Sequence, residues 1–124
     1  MHDTDDQKKG DLIAVDWYGQ RTYIEVKNDS CIATTGNVLC EEMIYYDGNG
    51  VWKPGFMYND SEVFAVLSQA DRKIYFIDFK VLQSIYKRYP GREMRKAADQ
   101  MSYVYLVPLG NIKKHNGLLG TISY

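Results

Sequence analysis

Between Lys9 and Asp29 the chain reads KGDLIAVDWYGQRTYIEVKND, two β-type runs separated by a short polar break at Gly19-Gln20. β-branched and aromatic residues at this density favour extended backbone, and a tight break between two such runs favours an antiparallel hairpin. No other stretch limits the fold as strongly, because it commits the start of the chain to a sheet. The predicted strands are Asp11 to Tyr18 and Arg21 to Lys27. Residues i and i+2 on a strand share a face, so Glu25 and Lys27 emerge side by side. Asp11 stands at the mouth of the first strand. Two carboxylates and an ammonium on one sheet face suit a magnesium site for phosphodiester hydrolysis.

Register decides whether these groups meet. A two-residue loop at Gly19-Gln20 pairs Leu12 with Lys27 and turns Asp11 away from Glu25. A three-residue loop from Tyr18 to Gln20 pairs Trp17 with Arg21, and so Asp11 with Lys27 and Ile13 with Glu25. That register, or a bulge near Asp11, places all three polar groups on one face. Local pattern leaves the choice open.

Downstream, Asn28 to Asn37 is a polar loop and Val38 to Tyr46 a third strand, ended by the turn signal Asp47-Gly48-Asn49-Gly50. Residues 52–56 (WKPGF) are too punctuated to stay regular. Glu62 to Leu67 and Lys73 to Phe79 read as short apolar strands of the kind covered on two faces. Lys80 to Tyr89 is the clearest helix, with Val81, Leu82, Ile85 and Tyr89 as its apolar stripe, Asp78 at its N-terminus and Pro90-Gly91 as its stop. Residues 92–100 lack an amphipathic pattern and suit a loop or one further turn. Tyr103 to Leu109 is a last strand, followed by a turn near Asn111 to His115 and an edge segment. The expected architecture is α+β: one domain over 1–124 with a single mixed central sheet, an N-terminal hairpin and one or two flanking helices.

The 124 residues are enough for a core without disulfide staples. Eleven tyrosines fit a sheet-rich binding protein. A net charge of −1 supplies no global basic field, so any nucleic-acid contact must be local or metal-assisted. Cys31 and Cys40 form no C-x-x-C pair and are expected as reduced, buried or half-buried thiols of a cytoplasmic protein. Residues 1–10 lack an apolar face and are expected to be loosely attached. They do not read as a signal peptide, and no apolar run approaches membrane-spanning length.

Asp11 and Glu25 are the candidate Mg²⁺ (or Mn²⁺) ligands, with the carbonyl of Val26 beside them and Lys27 placed to activate water. By itself E-V-K also suits an ion pair on an exposed hairpin. The wider pattern, G-D followed after a hairpin by E-x-K, resembles the PD-(D/E)XK nuclease superfamily, the restriction-endonuclease-like proteins, and among them small phage and prophage nucleases. The matching pieces are QKKGDLIAVD at 7–16, YIEVKND at 23–29, TTGNVLCEE at 34–42, KPGFMYNDSEVFAVL at 53–67, KIYFIDFKVLQ at 73–83 and YLVPLGNI at 105–112. The resemblance implies a DNA endonuclease with Asp11, Glu25 and Lys27 as its metal-dependent site. It differs in having Gly10 where the family name has proline. Only ten residues precede Asp11 where the family carries a helix, which implies that this helix is shortened or missing. A homodimer mate or a protein partner is then expected to cover that side.

Glu41 and Glu42 alternate faces, so one of them can approach the site; Glu42 is the candidate third ligand, weighed against a solvated strand charge. The nucleic-acid contacts expected are Lys8, Lys9 and Lys53 near the metal, with Lys87 and Arg88 in a basic cluster among tyrosines. Gln100-Met101-Ser102-Tyr103 spells the Q-x-x-Y of some exonuclease branches but comes after two further strands, and is read as coincidence. The alternative function is a nuclease-fold protein that no longer cuts and serves as a binding or inhibitor module in phage–host conflict.

Overall fold

Nine strands dominate the described chain, and they form two sheets. The computed structural model describes residues 11–46, 50–89, 92–97 and 100–124. The expectations for residues 1–10 (Lys8 and Lys9 among them), for Asp47 to Asn49 and for Pro90-Gly91 lie outside the described residues.

The hairpin is β1 (Leu12–Val15) and β2 (Arg21–Asn28). Helix α1 (Cys31–Thr35) leads through Gly36, at φ 74°, into β3 (Asn37–Tyr46). Strand β4 (Val51–Pro54) and a 3-10 turn (Phe56–Tyr58) precede β5 (Val63–Ser68) and β6 (Lys73–Asp78). Helix α2 (Phe79–Ile85) runs into a second 3-10 turn (Tyr86–Arg88). The chain ends with β7 (Glu93–Ala97), β8 (Gln100–Pro108), α3 (Leu109–Lys114) and β9 (Leu118–Ser123). Among the described residues no helix is long and apolar enough to cross a membrane.

One sheet has the order β1-β2-β5-β6-β9, the other β4-β3-β8-β7. This replaces the single central sheet expected from sequence. The first sheet is mixed, since β2 and β5 run parallel while its other pairs are antiparallel. The strands responsible for the second sheet are those that sequence hides. β4 is exposed throughout and ends at Pro54, a residue that an edge strand tolerates because its missing N–H costs no ladder bond. β7 (EMRKA) is the opposite edge, polar and with no apolar alternation. Charged edges of this kind block further pairing, at the cost of leaving no periodic signal.

The core joins both sheets and all three helices. Phe64 and Val66 come from β5, Ile77 from β6, Phe79, Leu82 and Ile85 from α2, Val38 and Cys40 from β3, and Val107 from β8. Ile32 of α1, Ile112 of α3, Met57, Tyr75 and Tyr86 complete the cluster. Three successive residues of β5, Phe64 to Val66, are buried, so it is covered on both faces as expected. β6 instead buries Tyr75 and Ile77 in alternation, so it is central in order but covered on one face only. In α2 the buried stripe is Phe79, Leu82 and Ile85, continued by Tyr86; Val81 and Tyr89 are only half-buried. Asp78 caps the helix as expected, its carboxylate accepting the Val81 N–H at 3.2 Å. Both cysteines are free thiols, Cys31 half-buried and Cys40 buried.

Candidate active site

The hairpin loop is longer than the sequence pattern implies. Val15 pairs with Arg21 and Leu12 with Ile24, leaving a five-residue loop, Asp16 to Gln20, in place of two or three residues. Asp16 organises it: its Oδ1 accepts the Tyr18 and Gln20 N–H groups, both at 2.9 Å. An Asp that satisfies two loop amides substitutes for ladder bonds and ends β1 at Val15. The resulting register, continued by one residue, sets Asp11 opposite Glu25, two positions from Lys27, the partner that a three-residue loop would give it, and on the same face. Asp11 lies just before β1, its N–H bonded to the Ile24 carbonyl at 2.8 Å.

Asp11 and Glu25 are in direct side-chain contact, and the contact polarises the pair. The hydrogen bond with Glu25 holds Asp11 below the usual carboxylate range, helped by the Val26 N–H, which donates to Asp11 Oδ2 at 3.0 Å, and by Lys27. Burial pushes Glu25 up to about 8, with the adjacent Asp11 carboxylate adding to the effect and Lys27 and Asn59 opposing it. Glu25 is 6% exposed. Two like charges this close cannot both be solvated, so the pair shares one proton. Val26 reaches Asp11 through its N–H.

Asn59 belongs to this site, and the sequence does not mark it. Its amide donates to Glu25 Oε1, and its own carbonyl oxygen accepts the Ser61 N–H at 2.9 Å. Gln83 of α2 clamps the segment by donating to the Met57 and Asn59 carbonyls at 2.8 and 2.9 Å. The N-D-S run signals a turn, but nothing in it signals that the turn reaches a carboxylate 34 residues earlier.

Lys27 stands between this pair and a cleft of about 240 Å³ lined by Lys27, Asn28, Asp29, Leu39, Glu41 and Phe56. Its Nζ lies 4.9 Å above the Phe56 ring, a cation–π contact that restrains the ammonium. Phe56 in turn stacks on Phe64 at 5.1 Å. Glu41, from the other sheet, also faces Lys27: burial raises its carboxyl and the Lys27 charge lowers it. The strand acid at the site is therefore Glu41, and the candidate Glu42 points elsewhere. The ladder shifts register between Glu41 and Met43, so Glu42 falls on a bulge. Its buried carboxylate is taken by Lys87 and Arg92, each at 3.2 Å.

Of the expected phosphate contacts, Lys53 is exposed on β4 in the second sheet, Lys87 is paired with Glu42, and Arg88 is exposed beyond α2. Gln100 to Tyr103 lies on a strand, unlike the helical Q-x-x-Y it spells. Among the described residues no group of three or more His, Cys, Asp or Glu side chains is arranged to hold a metal ion. Asp11 and Glu25 are a two-carboxylate set. That number fits Mg²⁺, which commonly takes one or two carboxylates and keeps waters, and a dication would relieve the repulsion that now retains the proton.

Gly55 fixes the second wall of the cleft. A Cβ there would run into the Glu41 carbonyl group, and the Gly55 N–H already bonds the Glu42 carbonyl at 2.7 Å. Gly55→Ala is expected to cost about 1–3 kcal/mol by forcing the β3 backbone aside. Urea denaturation checks this, and a cost below about 0.5 kcal/mol would contradict the close approach.

No family model matches the chain, no curated protein matches it, and no solved structure matches it.

Proposed function

We propose that the protein is a restriction-endonuclease-like, Mg²⁺-dependent (or Mn²⁺-dependent) DNA hydrolase with Asp11, Glu25 and Lys27 as its working groups. The observation that carries this reading is the contact between the Asp11 and Glu25 carboxyls, with the Lys27 charge acting on both. The pattern G-D…E-x-K in the sequence supports it independently.

Asp11, Glu25 and the Val26 carbonyl would hold the ion, which when bound polarises a phosphate and acidifies water. Asn59 orients Glu25 through Oε1. Lys27, restrained over Phe56, would hydrogen-bond the attacking water and offset charge developing on the phosphorus oxygens. Glu41 keeps a third acid near Lys27 on the cleft side.

The test is incubation with single-stranded and duplex DNA in Mg²⁺ or Mn²⁺, beside Lys27→Ala and Asp11→Asn. Cleavage by the native chain and a loss of about 100-fold or more in each variant is expected. Cleavage that survives both substitutions would sink the assignment.

One observation favours the second reading, a non-cutting binding or inhibitor module. The hairpin is exposed and apolar: Leu12 is 56%, Val15 60%, Trp17 101% and Tyr18 96% exposed. Apolar groups gathered at such a tip suit a protein contact. Absence of cleavage together with partner binding lost in Trp17→Ala would select it.

A further inference from the structure

The outer half of the four-stranded sheet carries an aromatic and cationic ladder that neither the hydrolytic site nor the core uses. Residues paired across antiparallel strands share a face, and Tyr45 pairs with both Trp52 and Met101, Met101 with Lys96, and Tyr103 with Met94. Trp52, Tyr45, Tyr103, Met94 and Lys96 therefore lie on one side. The rings are in register: Tyr45 to Trp52 is 5.3 Å and Trp52 to Tyr103 is 5.0 Å, the latter pair stacked. Arg92 extends the ladder with its guanidinium 4.4 Å from the Tyr103 ring centroid. Glu42 holds Arg92 there from within the protein. None of these ladder side chains belongs to the core cluster; Trp52 is 40% and Met94 55% exposed.

We propose that this face is a stacking platform for unpaired bases of single-stranded DNA. The proposal rests on the nucleic-acid reading above and deepens it by naming the strandedness of the nucleic acid held. Aromatic faces bind any unpaired base, whereas a duplex has its base faces already stacked. Charge supports the same occupant. Residues 87–96 carry five cations and one acid, in a chain whose net charge is −1. Glu42 pairs with Lys87 and Arg92, and Glu93 with Arg95, so an excess of positive charge is left beside the ladder, with Arg92 and Lys96 nearest to it, where a phosphate backbone would run.

The chain has two tryptophans, so Trp17→Phe leaves Trp52 as the reporter. In that background, with EDTA present, a labelled twelve-residue oligo(dT) is titrated while Trp52 emission and label anisotropy are followed. Binding with quenching of Trp52 is expected. Tyr103→Ala in that background, and Trp52→Ala in the native chain, should each weaken binding about fivefold or more. Trp52→Phe should stay within about threefold of native, with circular dichroism confirming that each variant is folded. Lys96→Ala should flatten the salt dependence by about 0.7 in slope. Equal or tighter binding of duplex, or unchanged affinity in folded Tyr103→Ala and Trp52→Ala, overturns the proposal. So does oligo(rU) bound tenfold more tightly than oligo(dT), which would assign the face to RNA, or a dimer in sedimentation that Trp52→Ala dissolves and oligo(dT) does not. No metal is present in the assay, so its failure is distinct from failure of the Asp11–Glu25 site in the cleavage test.

Discussion

Glu25→Gln is expected to abolish metal-dependent cleavage and, in the same protein, to raise stability at alkaline pH. The sign is set by the native environment. Glu25 titrates near 8 in the folded protein, through burial first and then the Asp11 charge, against 4.5 ordinarily. Below pH 4.5 both states hold the proton, and the stability associated with the protonated carboxyl is fully present. Between about 4.5 and 8 the unfolded chain has lost that proton while the folded protein retains it, so stability falls as pH rises and levels off above 8. Gln keeps an oxygen for Asn59 and an N–H for Asp11 and carries no charge at any pH. The variant should therefore match the native chain near pH 4 and exceed it by about 2 kcal/mol at pH 9, several degrees in Tm. Thermal melts across pH 4 to 9 check this. A variant less stable than native at pH 9 would mean that Glu25 is not strained by burial and by its neighbour.

Phe64→Ala is expected to cost about 3–5 kcal/mol and to disable the site without touching a charged group. Phe64 is 1% exposed and meets Phe56 at 5.1 Å and Phe79 at 5.6 Å. It is also the residue of β5 paired with Glu25, so one side chain supports both the acid and the ring beneath Lys27. Urea unfolding gives the stability, and cleavage below the unfolding transition gives the second effect. Phe64→Leu, which keeps most of the volume, should cost under about 1.5 kcal/mol and retain most of the cleavage. Full activity in folded Phe64→Ala would show that Lys27 does not depend on the Phe56 stack.

These two residues mark different limits of legibility. Glu25 and Lys27 can be placed on one face from the sequence because strand alternation is a property of neighbouring residues. Phe64 can be read as buried because β5 is an unbroken apolar run. That Phe64 stands beside Glu25 is not readable, since the parallel pairing of β2 with β5 brings together segments about 40 residues apart. Asn59 escapes the sequence for the same reason. Alternation says that Glu41 and Glu42 cannot both approach the site but not which of them does, and the bulge at Glu42 depends on pairing with a distant strand.

By itself the sequence determined the hairpin, the shared face of Glu25 and Lys27, the strands β5 and β6, and the Asp78-capped helix. Each arises from forces acting over a few residues: β-propensity, period-two alternation, helical periodicity and capping. The tertiary structure alone decided that Asp11 meets Glu25, through a five-residue loop held by Asp16. It alone decided that the strands divide into two sheets, because β4 and β7 bury little and are held by pairing with β3 and β8. It also decided that Asn59 and Glu41 border the site. Register, sheet membership and convergence depend on bonds between distant segments, and their energies have no local signature in the chain.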